Sequence, residues 1–448
     1  MKKRTIIFSF TLLFMLLSFN LTQAQENKNT GVIFENVRIF DGSSEKLSEP
    51  TNVLVVGNVI TQITSQPITR TDIKVSKING NGYTMMPGLI DNHVHILMSS
   101  SSQADLIDPR ISIEILQQRA TDEAKNILLR GFTSVRDLGG PMLTSQKLID
   151  AGTLPGPRVY SSGAMISQTS GHGDSRLPNE RSRRFFGEIS RGELMGANFI
   201  ADGRDEVLTA TRENLRAGAS QIKVMAGGGA ASAYDPLDVT QYTLDEMKAA
   251  VEAADDWGTY VTVHAYTPKA VGRAIEAGVK SIEHGQLLDE KTMKLLAERD
   301  IWLSLQALDE APATADPLVR EKKHTVVAGT DNAFKWAKKY NVKLAWGTDF
   351  LFNPAGNVKQ NSDIIKLKQW MSAPEILKLI THDNAELLAL SGNRNPYPGK
   401  LGVIEVGALA DILIVKGNPL ENIELLADPE ANFLVIMKDG KIFKNNIK

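Results

Sequence analysis

Between residues 88 and 395 short apolar runs alternate with amphipathic stretches, and this alternation constrains the fold more than any other feature. Eight runs read as strands: "LIDNHVHI", "GFTSVRDLG", "PRVYSSGAM", "SQIKVMAGG", "YVTVHAY", "SIEHG", "IWLSLQ" and "VKLAWGTDF". Several of the stretches between them carry helix punctuation. Thr243 with Glu246 forms a capping box before "MKAAVEAADDW", and Gly258 follows as a stop. Thr267-Pro268 opens "KAVGRAIEAG" with proline at the first helical position, and Ser372 with Glu375 caps "ILKLI". Eight such βα units predict an α/β fold, a closed (β/α)8 TIM barrel with outer helices. An open doubly wound sheet would carry a Gly-rich phosphate turn after an early strand, and none is present.

The two ends of the chain read as β-structure. "GVIFENVRIFDG", "NVLVVGNVITQIT" and "GYTMMPGLID" precede the barrel, while "ADILIVKGNP" and "NFLVIMKDGKIFK" follow it, the last with a hairpin signal at Asp439-Gly440. Residues 25–87 and 396–448 are therefore expected to pair into a small β-sandwich domain beside the barrel at 88–395. Residues 1–24 carry Lys2, Lys3 and Arg4, then an apolar core, and lead into "TQAQ". That order describes a secretory signal peptide, cleaved after Ala24, and predicts a periplasmic or secreted protein. Ser9, Thr11, Ser18 and Asn20 interrupt the apolar stretch, which argues against a permanent membrane anchor. Two connections, 161–218 and 308–340, are too long for simple barrel turns and are expected to be loops that cover the site or join copies.

Composition removes several alternatives. Lys and Arg (50) nearly balance Asp and Glu (52) and no basic block occurs, so nucleic acid is not an expected partner. The absence of cysteine excludes disulfides, thiolate metal sites and a cysteine nucleophile.

Histidine is scarce, seven in all, yet two fall within "DNHVHI". At strand period His93 and His95 point to the same face and could grip one metal ion. Alone, the pair could equally be an ordinary strand with one ring buried and one in solvent. The ends of later strands add Lys223, His264, His284 and Asp349, so five strands deliver metal-competent groups to one edge of the barrel, where such folds place their chemistry. Lys223 is no ligand as an ammonium. Burial in an apolar strand lowers its pKa, and the neutral amine can add carbon dioxide to give a carbamate that bridges two cations. A strand lysine paired with a carboxylate is the structural alternative.

This pattern resembles the amidohydrolase superfamily, in its binuclear branch with a carboxylated lysine, and the flanking "PGLID" and "GALADILIV" are familiar from it. "QTSGHGD", "IKVMAGGGAAS", "VTVHAYTPKAVGRAIEAGVKSIEHG" and "GNPLENI" look like the imidazolonepropionase-related group, which includes Xaa-Pro and Xaa-Arg/Lys dipeptidases and ochratoxin-hydrolysing amidases. True imidazolonepropionases are cytoplasmic, with one metal and no carboxylated lysine, so the leader and Lys223 argue against that activity. The resemblance implies that His93, His95 and Asp349 bind the more buried of two divalent metal ions, and that His264 and His284 bind the other. The carbamate of Lys223 and a hydroxide would bridge them, with zinc favoured by the all-N/O ligand set. It further implies attack of that hydroxide on an amide carbonyl, with Asp349 carrying the proton to the leaving nitrogen. The implied substrate is a small amide, a dipeptide such as Xaa-Pro or an N-acyl amino acid, and the implied assembly is a homo-oligomer. Hydrolysis of a cyclic amide, lactone or ester at the same metals is the second reading. A non-catalytic binding protein is the third, and it predicts missing ligands, of which there are none.

In the resembling group the loop histidine that matches His172 faces the substrate carbonyl. Tyr234 and Tyr242 follow the glycine run after Lys223, and either phenol could hold a substrate carboxylate. Arg181, Arg183 and Arg184 read as a solvated charge run, and Asp137 either orients a ligand or closes a turn. His324 and His382 read as an exposed residue and a local turn contact.

Overall fold

The computed structural model describes residues 30–232 and 234–447. The proposed leader at 1–24 lies outside the described residues.

Strand-forming runs close around a barrel of eight parallel strands. They are Leu89–Val94, Phe132–Asp137, Arg158–Ser161 continuing as Met165–Ser167, Ile222–Met225, Val261–Ala265, Ser281–His284, Trp302–Leu305 and Leu344–Trp346, called strands one to eight below. Nearly all their residues are buried, as expected for strands covered on both faces. Strand three is bent. Its first half pairs with strand two and its second half with strand four. The Asn214 side chain holds the bend by accepting from Ala164 N and donating to Ala164 O, at 3.0 and 2.8 Å.

Strands eight and one are joined largely by side chains. Asp91, fully buried, accepts from the backbone N–H groups of His93 (3.1 Å) and Thr348 (3.0 Å), and from the Thr348 hydroxyl (2.7 Å). Asn384 donates to the carbonyls of Ile90 (2.7 Å) and Trp346 (2.9 Å) and accepts from Trp346 N. These contacts bring the two ends of the barrel, and hence His93 and Asp349, side by side.

Helices begin where the caps predict. The Thr243–Glu246 and Ser372–Glu375 boxes are formed, and Thr267 caps Pro268–Ala277 with the proline in the first turn. The connection at 308–340 departs from expectation. It is mostly a 24-residue helix, Pro317–Tyr340, capped by Asp316, rather than a loop. Lys322, Val326, Thr330, Phe334 and Ala337 form its buried stripe at helical spacing. Gly329 sits inside it because a Cβ there would lie 2.1 Å from the Gln286 carbonyl, so the helix packs directly on the turn after strand six. The 161–218 connection likewise contains the second half of strand three, a short strand Asn198–Ile200 and the helix Arg204–Ala217.

Both chain ends share one eight-stranded, mostly antiparallel sheet system. Thr84–Pro87, before the barrel, pairs with Ile412–Val415 after it, and Phe433–Lys438 turns back through Asp439-Gly440, both at positive φ, into Lys441–Asn445. Phe34, Val53, Val55, Met85, Ile412, Ile414, Val435 and Met437 fill its core. Arg158 of strand three bonds Asp411 (2.9 Å) and Asp439 (2.6 Å), welding this sandwich to the barrel. No helix among the described residues is long and apolar enough to cross a membrane.

Candidate metal centre

The strand-end residues singled out from the sequence converge. His93 Nε2 and His95 Nε2 lie 3.4 and 3.6 Å from Asp349 Oδ1, and His284 Nδ1 is 4.0 Å from Asp349 Oδ2. The rings of His93 and His284 are 5.0 Å apart, and those of His264 and His284 are 4.5 Å apart. Lys223 is 1% exposed in the wall of the same barrel and forms no ion pair among the described residues. Two of the positions carry unusual backbone. His284 has φ 80° and Asp349 φ 53°. Such conformations cost free energy in non-glycine residues and collect at functional sites.

Hydrogen bonds assign the imidazole protons. His95 Nδ1 faces the Gly139 carbonyl at 3.4 Å and His264 Nε2 faces the Gly228 carbonyl at 3.1 Å; a carbonyl only accepts, so each nitrogen carries the proton. His284 Nδ1 is 2.7 Å from the Gln306 amide oxygen, whose NH2 donates to Ser304 O. His93 Nδ1 lies 2.9 Å from Glu283 Oε2, a carboxylate contact not aligned as a hydrogen bond, and 3.4 Å from Gln306 Nε2. The rings of His95, His264 and His284 are thus each left with one lone-pair nitrogen.

That assignment tests the fit of a cation. One metal-competent atom from each of His93, His95 and Asp349 lies within 4.8 Å of the other two. His93 Nε2 is buried without a hydrogen-bond partner. Imidazoles and a carboxylate gather in this way around a metal ion.

Burial, aided by the charges of neighbouring His93, Lys223 or His172, holds His95, His264 and His284 well below the ordinary imidazole range. They are neutral and ligand-ready. Burial also lowers the Lys223 ammonium to about 8, even though Glu283 and Asp349 pull it upward. A useful fraction of the amine is therefore unprotonated near neutral pH.

Residues that sequence reasoning missed surround this cluster. Glu283 is fully buried, and although burial works to raise its carboxyl, the Arg136 guanidinium (2.6 Å) holds it well below the usual range. Arg136 also donates to Asn92 O and to the Tyr260 hydroxyl. Tyr266 stacks on His284 with ring centres 4.9 Å apart. Charged or aromatic residues in otherwise apolar barrel runs, Arg in "SVRDLG" and Glu in "SIEHG", were the available signal.

The structure sorts the remaining candidates. The His172 ring stacks on His264 at 4.2 Å, so its loop reaches the cluster. Tyr242 is a correction. It is 3% exposed and its hydroxyl donates to Ala201 O (2.9 Å), so the phenol is committed to packing and cannot hold a substrate carboxylate. Tyr234 is 59% exposed. Asp137 accepts from Ile96 N (3.0 Å), closing the turn after His95, and burial raises its carboxyl to about 7. Arg184 pairs with Glu206 on the surface, His324 is exposed against Glu310, and His382 contacts Asp383.

Comparison with known proteins agrees with this geometry. The ochratoxinase of Aspergillus niger is 34% identical over 375 residues, covering 80% of this chain and 75% of that protein. A crystal structure of a prolidase complexed with N-methylphosphonate-L-proline superposes with TM-score 0.83 at 32% identity, covering 93% of this chain and 100% of the other. A Xaa-Pro dipeptidase with bound methionine gives TM-score 0.79 at 29% identity, with the same coverage of both chains. The profile of the Amidohydrolase family matches residues 84–443, the barrel together with the sandwich strands that directly precede and follow it, and the chain is a member of that family.

Proposed function

We propose that this protein is an exported binuclear hydrolase that cleaves the amide or peptide bond of a dipeptide or N-acyl amino acid. Support comes from the family membership, from similarity to an ochratoxinase and to prolidases, and above all from the convergence of His93, His95 and Asp349. In this reading His93, His95 and Asp349 would hold one divalent cation, His264 and His284 would hold a second, and Lys223, as its carbamate, would supply a further ligand. The cations, zinc by donor type, would polarise the scissile carbonyl and lower the pKa of a water near it.

The chain's own groups perform the rest. Asp349, whose carboxylate reaches His93, His95 and His284, takes a proton at Oδ from the attacking water and passes it to the leaving nitrogen. Amide nitrogen leaves poorly unless protonated, so this transfer is a chemical requirement. His172 faces the substrate carbonyl, and the exposed Tyr234 phenol takes the substrate carboxylate. Gln306 fixes the ring of His284, and the Glu283 carboxylate lies against the ring of His93. A homo-oligomer is part of the reading.

The test is an assay of metal-reconstituted protein, with bicarbonate, over Xaa-Pro, Xaa-Arg/Lys and N-acyl amino acid substrates and a set of lactones. Turnover of at least one amide class, lost on chelation and restored by metal with bicarbonate, is expected. Turnover of lactones alone, or none at full metal occupancy, would refute the proposal.

A further inference from the structure

His172 is held by more than its loop. Its Nδ1 lies 3.0 Å from Asp235 Oδ2, and its backbone N–H donates to Gln241 Oε1 at 2.9 Å. The ring lies flat against Gly229, where a Cβ would come within 1.9 Å of Cε1, so only glycine admits it. The same Asp235 oxygen accepts from Gly229 N at 2.6 Å, tying ring and loop together. Asp235 is 2% exposed, a costly place for a carboxylate without partners. Behind it stands Lys322, on the helix Pro317–Tyr340. Lys322 is 5% exposed, and its ammonium donates to the Asp235 carbonyl (2.7 Å) and to the Ser232 carbonyl. A buried lysine directed at backbone carbonyls of a distant loop secures that loop, since removing it would strand two acceptors.

We infer that Asp235 and Lys322 are positioning residues for His172: Lys322 fixes the loop after strand four, and Asp235 accepts from Nδ1–H and so fixes the orientation of the ring, leaving Nε2 as the free edge. This inference rests on the substrate-facing role proposed for His172. It also gives the helix Pro317–Tyr340 a task, because through Lys322 that helix reaches the loop that holds His172.

A double-mutant cycle tests it. Asp235→Ala is expected to lower kcat/KM by about 100-fold, the scale of a misplaced catalytic group, with metal content unchanged. Asp235→Asn keeps an acceptor oxygen and should recover most of that loss. In a His172→Ala background, Asp235→Ala should change kcat/KM by less than about twofold, because its effect runs through the ring. Lys322→Met should show the same coupling. An undiminished loss in the His172→Ala background, or a silent Asp235→Ala, would overturn the inference. Should Lys322→Met melt prematurely, the Asp235 cycle decides alone. Should the wild type turn over no substrate at full metal occupancy, the proposed function fails, and histidine-labelled NMR decides the inference separately. It should find Nδ1 of His172 protonated in the wild type and the proton shared between the nitrogens in Asp235→Ala; a wild-type ring with Nδ1 unprotonated would overturn it.

Discussion

Asp349→Asn should lower kcat/KM by about a thousandfold or more, within the range for loss of positioned acid–base catalysis, while the protein stays folded. The asparagine amide has the same shape but cannot accept and return a proton. The fold should survive because Asp349 is anchored by its backbone, whose N–H donates to His93 O at 2.8 Å, and asparagine tolerates the left-handed φ of 53°. Kinetics, urea melting and metal analysis of the same preparation separate the effects. A variant with near wild-type turnover would remove Asp349 from proton transfer.

The largest expected effect on stability is at Arg136. Arg136→Met should destabilise the protein by about 3–5 kcal/mol, the usual cost of stranding one partner of a buried ion pair. Arg136 and Glu283 are both fully buried, and Arg136 also supports the Asn92 carbonyl and the Tyr260 hydroxyl inside the barrel. Losing the guanidinium leaves the Glu283 carboxylate beside His93 uncompensated. Pairing the change with Glu283→Gln should recover part of the loss, because no unpaired charge remains. Urea denaturation of both variants beside the wild type is the measurement. A loss under about 1 kcal/mol for Arg136→Met would mean that the pair does not hold the barrel interior together.

Local patterns made most of the fold legible. Strand alternation, the Thr243–Glu246 and Ser372–Glu375 caps and the Asp439-Gly440 hairpin depend on neighbours in sequence, and each is found where the residues pointed. The residues His93, His95, Lys223, His264, His284 and Asp349 were readable because barrel topology gathers strand ends whatever their separation. What escaped depends on distant partners. Arg136 and Glu283 are 147 positions apart, and nothing near either announces the other. The acid two places before His93 gave no sign that it would tie strand one to strand eight through Thr348. The helix Pro317–Tyr340 was obscured by "TVVAGT", whose β-branched residues and Gly329 lower helix propensity, and packing on the turn at Gln286 decides the matter instead. Tyr242 was misjudged for a similar reason. Its position after the glycine run suggested a phenol at the pocket, but the Ala201 carbonyl claims its hydroxyl.

The proposal that His93, His95, Lys223, His264, His284 and Asp349 jointly hold a pair of cations is tested most directly by elemental analysis. Protein prepared without chelators and supplied with metal and bicarbonate should contain two divalent transition-metal ions per chain, and Lys223→Ala should lose at least one of them. Absence of bound metal, or a Lys223→Ala variant with undiminished stoichiometry and affinity, would contradict the account.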